Sequence, residues 1–397
     1  MPTTGGSTDA VDRARVSSRA LLVAALVATL GGAASAELDA RDKTSTPASS
    51  STRQAATQSV DSGAANAILL EPQARRALER GLAFLAEAQA RGDDGALPRL
   101  EGAADVTVAL TALGALAFMA GGSTPERGPY ATATARAVDF LLARADLSGS
   151  PTHGYIAAGA SEPTARMHGH GFAALALAQA FTMSPSGARG DRVARVLEAA
   201  VRRIEASQSV EGGWFYSPVA NIEHENSVTV VQLQALRAAH NCGVRVEPRV
   251  IGAAIDYIGR CQSEDGSFRY ALGPEQKTSI ALTAAGLATM HSAGVYDGPQ
   301  VQRATDALWR RLLAREEGGE RAADFPHYER LYVAIALWTM RDQRGFARWF
   351  ESTAAELVSA QRNDGAWGDQ RYGACYATAM NCLVLSMPDG LLPLFER

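Results

Sequence analysis

The sequence predicts an all-α protein, an α6–α6 barrel (toroid) of six helical hairpins. Three observations carry that expectation. A Gln-x-x-x-Gly-x-aromatic motif recurs along the chain, segments apolar on one face alternate with segments apolar all round, and no stretch alternates with period two over a strand's length. The chain has 397 residues, 47% hydrophobic and 20% charged, enough for a sizeable core. A net charge of −4 without a basic tract excludes a nucleic-acid binder, and four cysteines exclude a disulfide scaffold.

The first element is an address. Arg13, Arg15 and Arg19 precede the apolar run Ala20 to Leu30, which leads to Ala34-Ser35-Ala36. A positive start, a short apolar stretch and a small-x-small site describe a signal peptide over residues 1–36. The apolar run falls well short of the ~20 residues that span a bilayer, so no transmembrane segment is expected after cleavage. The mature protein is expected to be secreted, periplasmic or at the cell envelope. Residues 37–67 are mostly Ser, Thr, Ala and Gln, too poor in large apolar side chains to offset ordering, and are expected to form a flexible tether. Residues 68–397 are left for the toroid.

Three good copies of the motif begin at Gln208, Gln262 and Gln361, and a looser one runs from Gln89 to Leu97. Successive copies lie 119, 54 and 99 residues apart, which reads as two, one and two units of a period near 50 to 60. The missing copies are expected in the degenerate loops Ala145 to Gly149 and Arg315 to Gly319. An amphipathic segment precedes each motif. In the first of these, Leu78, Leu82 and Leu85 form a stripe opposite Arg75, Arg76, Glu79 and Arg80. After each motif comes a segment apolar on all sides: 104–120, 166–182, 226–241, 277–291, 328–341 and 374–387. Such helices are buried all round, so they form an inner ring inside an outer one. In the motif, Gln is expected to bond orphan groups at the helix ends, Gly to permit the turn, and the aromatic ring to pack on it.

The Gln-x-x-x-Gly-x-Trp repeat resembles that of the terpenoid cyclase and protein prenyltransferase superfamily, the squalene-cyclase-type toroid. Met167-His-Gly-His-Gly171 before an apolar helix also resembles exported prenyltransferase/squalene-oxidase-repeat proteins of planctomycete-like bacteria. The resemblance covers about residues 70–397 and implies a fold without implying an activity. Squalene-type cyclases carry Asp-x-Asp-Asp-Thr or Asp-Cys-Thr-Ala-Glu, and protein prenyltransferases an Asp-x-Cys zinc pair. Neither pattern occurs here. No GxSxG elbow, P-loop or dinucleotide fingerprint is present either.

Every inner helix follows a motif loop, so six helix N-termini converge on one rim, where their dipoles suit an anion. The helix starts are polar. Candidate catalytic groups are Glu225, Asp105, Glu329 and His170, and candidate ligand-binding groups are His168, His170, His224, Asn226, Lys277, Tyr328, Arg330, Tyr372 and Tyr376. Acids at a first turn also serve simply as caps. His168 and His170, two apart, fall on different helix faces, so no metal site and no cofactor is expected. The cysteines are expected to be mostly free, buried thiols. The first functional reading is a toroid that binds an apolar or isoprenoid-like small molecule in its central cavity. The alternatives are an interaction scaffold of the cell envelope and a carbohydrate-active barrel using Asp105, Glu225 and Glu329.

Overall fold

A computed structural model describes residues 70–101, 106–158, 166–273, 276–340 and 342–392. The signal peptide, the tether and Asp105 lie outside the described residues. Twelve α-helices are present among them: α1 (Pro72–Ala90), α2 (Thr107–Ala120), α3 (Ala131–Ala143), α4 (Arg166–Met183), α5 (Gly187–Ala206), α6 (Asn226–Asn241), α7 (Pro248–Cys261), α8 (Ile280–Ser292), α9 (Pro299–Glu316), α10 (Pro326–Thr339), α11 (Gln343–Ala360) and α12 (Ala374–Leu385). The even-numbered helices pack on one another in order, and α12 returns to α2, closing an inner ring. The odd-numbered helices lie outside them, and α11 returns to α1.

Local chemistry sets the helix starts. Pro at the first turn opens α1, α7, α9 and α10, where its missing N–H costs nothing. Side chains cap others: Glu225 caps α6, Ser279 accepts from Leu282 N–H at 3.1 Å, and Asp342 accepts from Gly345 N–H at 2.9 Å. The expected leucine stripe of α1 is buried against the inner ring, each leucine contributing about 1.5–3 kcal/mol. The inner helices α2, α8 and α12 bury almost every residue.

The motif works differently from the expectation in two respects. Its Gln amide donates to the carbonyl of its own loop glycine and to a carbonyl of the next outer helix: Gln89 to Gly95 and Ala133, Gln208 to Gly212 and Val250, Gln262 to Gly266 and Gln300. Gln361 does the same with Gly365 and, across the closure, with Ala77 of α1. The amide therefore ties one repeat to the next instead of capping its own helix. Carbonyls in the last turn of two outer helices also receive indole N–H groups: Trp214 Nε1 donates to Ile204 O at 2.7 Å and Trp367 Nε1 to Leu357 O at 2.9 Å. The ring of Phe268 lies on Gly286 of inner helix α8, not on the turn glycine.

The residue two after the glycine also donates its backbone N–H to the following inner helix. Leu97, Trp214, Phe268 and Trp367 reach the hydroxyls of Thr111, Thr229, Thr283 and Thr378 at 3.0–3.2 Å. The same pattern identifies the copy expected near residue 145. There Ile156 takes the aromatic position, and the turn glycine is Gly154, not Gly149. Five extra residues sit between Asp146 and Gly154. They are folded around the Asp146 carboxylate, which accepts from Ser148 N–H and from the hydroxyls of Ser148, Ser150 and Thr152. Those bonds hold its carboxyl well below the usual range. The loop after α9 keeps a positive-φ Gly318 but shows no corresponding bond from a described residue.

Thr283→Val keeps the shape and leaves the Phe268 N–H buried without an acceptor. Denaturant unfolding is expected to show a loss of about 1–3 kcal/mol. A change below about 0.5 kcal/mol, the size of a neutral surface substitution, would mean that the threonine does not hold the loop.

Candidate functional site

The inner-helix N-termini meet at one rim, and Glu225 is the most fully buried acid there. Its backbone is extended, as a cap requires, and its carboxylate accepts from Ser227 N–H at 2.9 Å and Val228 N–H at 2.5 Å. The Ser227 hydroxyl donates to both carboxylate oxygens, at 2.8 and 2.9 Å, and the Tyr270 hydroxyl also lies against the group. Burial nevertheless outweighs these bonds and pushes the carboxyl up to about 7.

His168 on α4 reaches the same point. Its Nε2 lies 3.1 Å from Ser227 Oγ and 3.9 Å from Glu225 Oε1, and burial pushes the imidazole down to about 4. Its ring stands 5.8 Å from that of Tyr216, whose hydroxyl is 2.6 Å from that of Tyr270. The charge of Tyr372, just before α12, also raises the Tyr216 phenol. The rings of Tyr328 and Tyr332 of α10 pack tilted at 4.5 Å and feel the Glu225 charge, and Tyr372 and Tyr376 meet edge to face at 5.0 Å. Desolvation raises the phenol pKa of all six tyrosines, so they stay protonated.

Below the rim the bore closes. A cavity of about 10 Å³ remains among Leu113, Leu116, Phe172, Leu175, Gln234, Leu331, Tyr332, Ile335 and Leu383, room for about one water. Its polar contact is the Tyr332 hydroxyl, which donates to Gln234 Oε1 at 3.2 Å.

Several candidates point elsewhere. His170 takes the place that threonine holds in the other repeats: Nδ1 accepts from Ile156 N–H at 3.2 Å, and Nε2–H donates to Ala200 O at 3.3 Å. Both ring nitrogens are thereby used, and burial pushes the group down to about 4. His224 turns outward to Tyr257 of α7, with Nδ1 at 3.3 Å from its hydroxyl. Glu329 is committed to an ion pair with Arg315 of α9. Asn226 Nδ2 donates to Arg269 O at 3.0 Å, tying α6 to the following repeat's loop, while its buried Oδ1 has no partner. Arg330 donates to Asn381 Oδ1 at 3.4 Å beside His327, whose Nδ1 faces the same oxygen at 3.3 Å. Lys277 is exposed. Among the described residues, no three His, Cys, Asp or Glu side chains converge as a metal site, all four cysteines are free, and no helix is long and apolar enough to cross a membrane.

Tyr216, Tyr270 and Ser227 were not among the sequence candidates. A signal for the two tyrosines exists: each lies four residues after its motif glycine, Gly212 or Gly266, at the same station in adjacent repeats.

No protein-family model and no curated protein matches the chain. Solved structures do. A variant of a type II terpene cyclase from Scytonema, in complex with the product merosterolic acid A, gives a TM-score of 0.52 at 17% identity over 81% of this chain and 98% of that one. Another variant of the cyclase, holding the substrate geranylgeranyl dihydroxybenzoate, gives 0.51 at 17% identity over the same shares. An α-1,6-mannanase of Salegentibacter in complex with α-1,6-mannotriose gives 0.57 at 8% identity over 80% of this chain and 99% of that one. With its closed inner ring, the chain has the α6–α6 toroid fold that the type II terpene cyclase also has.

Proposed function

We propose that the protein is an exported binding toroid for an isoprenoid-like amphiphile, with the ligand's polar head at the rim and its tail in the bore. One juxtaposition carries this reading. The hydrogen-bonded group Glu225, Ser227 and His168, with the Tyr216–Tyr270 pair beside it, sits at the rim of a bore lined almost entirely by aliphatic and aromatic side chains. Pockets of that make-up, apolar with a few convergent polar groups, are what small-molecule sites look like. Geranylgeranyl dihydroxybenzoate, the substrate of the Scytonema cyclase, pairs a polar head with a prenyl tail and exemplifies the chemical kind. No cyclisation is ascribed to this chain: the acid motif of the squalene-type enzymes is absent, and the carboxylate of Glu225 is turned to its own helix start.

The small cavity favours a second reading, an envelope scaffold with a solid core. Under the first reading, Phe172, Tyr332 and their leucine neighbours must move aside for a tail. The two readings separate in one experiment. The exported chain is titrated with farnesol and followed by native mass spectrometry and thermal unfolding. A 1:1 adduct and a Tm raised by several degrees are expected, since ligand at a hundred times its Kd adds about 2.7 kcal/mol. A bare polypeptide mass with an unmoved Tm at saturating farnesol would instead overturn the binding reading and favour the scaffold.

A further inference from the structure

Within the rim cluster, Ser227 Oγ is in reach of two bases. It donates to both oxygens of the Glu225 carboxylate, at 2.9 and 2.8 Å, and lies 3.1 Å from His168 Nε2. Those are the distances at which a base takes the proton of a nucleophile. Helix spacing sets where the hydroxyl faces. On α6, Ser227 lies seven residues before Gln234; on α4, His168 lies four and seven before Phe172 and Leu175. Residues so spaced share one helix face. Gln234, Phe172 and Leu175 line the bore, so Ser227 and His168 carry the same two stripes up to the rim. Ser227 is half-buried and the His168 side chain is 19% exposed, whereas Glu225 is fully buried. The hydroxyl can be reached, and its base is dry. Capping alone needs only the two backbone N–H bonds that Glu225 accepts, and the hydroxyl and the imidazole of a second helix come in addition.

We propose that Ser227 is the nucleophile of an acyl transfer to water, with Glu225 as its base and the ester of a long apolar chain as substrate. The chemistry rests on the cluster alone; the long chain rests on the binding reading above. Ser227 Oγ adds to the ester carbonyl carbon while its proton passes to the Glu225 carboxylate. The ester C–O bond then breaks, the alcohol leaves with that proton, and the acyl group stays on Ser227. Water adds to the acyl carbon, giving a proton to Glu225, and the carboxylic acid departs as Oγ takes that proton back. Burial brings Glu225 up to about 7, so its base form is present at neutral pH, while His168, at about 4, is the weaker base. Both backbone N–H groups at this helix start go to Glu225, so the oxyanion draws on side-chain donors. The Tyr216–Tyr270 pair holds two hydroxyl protons and uses one between its members, which leaves one to donate. The Tyr216 ring stands 5.8 Å from that of His168.

The test treats the exported chain with a decyl fluorophosphonate and locates the adduct by peptide mass spectrometry. One phosphonyl group on Ser227 is expected, with fluoride released. It is lost in Ser227→Ala and forms about a hundredfold more slowly in Glu225→Gln, the low end of what a general base supplies. A second measurement needs no variant. The labelling rate of the native chain should rise with pH through a midpoint near 7, which a carboxylate that only caps its helix would not produce. His168 and the phenols around Glu225 do not titrate in that range. The esters p-nitrophenyl butyrate and p-nitrophenyl decanoate then test the chain. Turnover of the decanoate at least about tenfold faster is expected, since each CH₂ buried in the bore adds to binding. Equal rates would overturn the long-chain substrate and leave the acyl transfer standing. No adduct on Ser227, or labelling that is flat with pH and unchanged in Glu225→Gln, overturns the acyl transfer, whatever farnesol does in the titration above.

Discussion

Gly212→Ala is expected to cost about 2–5 kcal/mol of stability, while Gly187→Ala costs only about 1 kcal/mol. Both glycines have positive φ, +92° and +79°, so both substitutions incur the left-handed strain of an L side chain. They differ in what the new methyl meets. At Gly212 a Cβ would stand 2.2 Å from the carbonyl oxygen of Ala253 on α7, whereas at Gly187 nothing lies within 4 Å. The clash is with backbone, so no side-chain rotation relieves it. It is also repeated: Gly95, Gly154, Gly266 and Gly365 each place a Cβ 2.0–2.6 Å from a carbonyl of the next outer helix. The motif glycine is therefore needed for the turn and for the close approach of consecutive repeats, the same junction that the motif Gln bridges. Urea unfolding of the two variants checks this. Equal losses would mean that α7 moves away freely and that repeats are not held at this distance.

That junction explains why the fold could be read from the sequence. The glycine, the residue two after it and the buried inner helix recur together because each copy solves the same packing problem. The reading lost register at the second copy, where five residues inserted around Asp146 moved the turn glycine to 154 and an isoleucine replaced the aromatic ring. The site was harder to read, because polarity at a helix start does not say which way a side chain turns. His170 looked like a ligand residue and proved to be the counterpart of threonines 111, 229, 283 and 378. Glu329 looked like half of a carboxylate pair and is taken up by Arg315. His224, one residue from Glu225, faces the outer ring because extended backbone before the cap sends successive side chains to opposite sides. Tyr216 and Tyr270 were missed for the converse reason. They sit in loops that resembled turn structure, although the short bridged segments there carry a period of two from the buried Trp214 and Phe268.

Stability is expected to rise by about 1.2 kcal/mol per pH unit near pH 5.5, and the slope there to double in Glu225→Gln. In the unfolded chain His168 and His170 titrate near 6.5 and Glu225 near 4.5, whereas in the fold the histidines fall to about 4 and Glu225 rises to about 7. At pH 5.5 the unfolded state holds two imidazole protons that the fold lacks, and the fold holds one carboxyl proton that the unfolded state lacks. The net excess is one proton on the unfolded side, so acid favours unfolding. At pH 6.5 the unfolded histidines are still half protonated, so their contribution runs on past pH 7 while Glu225 ionises in its buried place over the same range, and the curve levels off near pH 7. His224 and His327, also lowered by burial, add to the rising limb, and the raised carboxyl of Glu329 opposes it. Glu225→Gln removes the single opposing proton at the rim, which steepens the acid limb to about 2.4 kcal/mol per unit near pH 5.5 and carries the rise on past pH 7. Urea midpoints at half-unit intervals of pH, with and without the substitution, measure both slopes. A flat limb in the native chain would mean that the imidazoles accept protons where they stand. That would mean that water, which already reaches part of the His168 side chain, solvates the imidazolium in place.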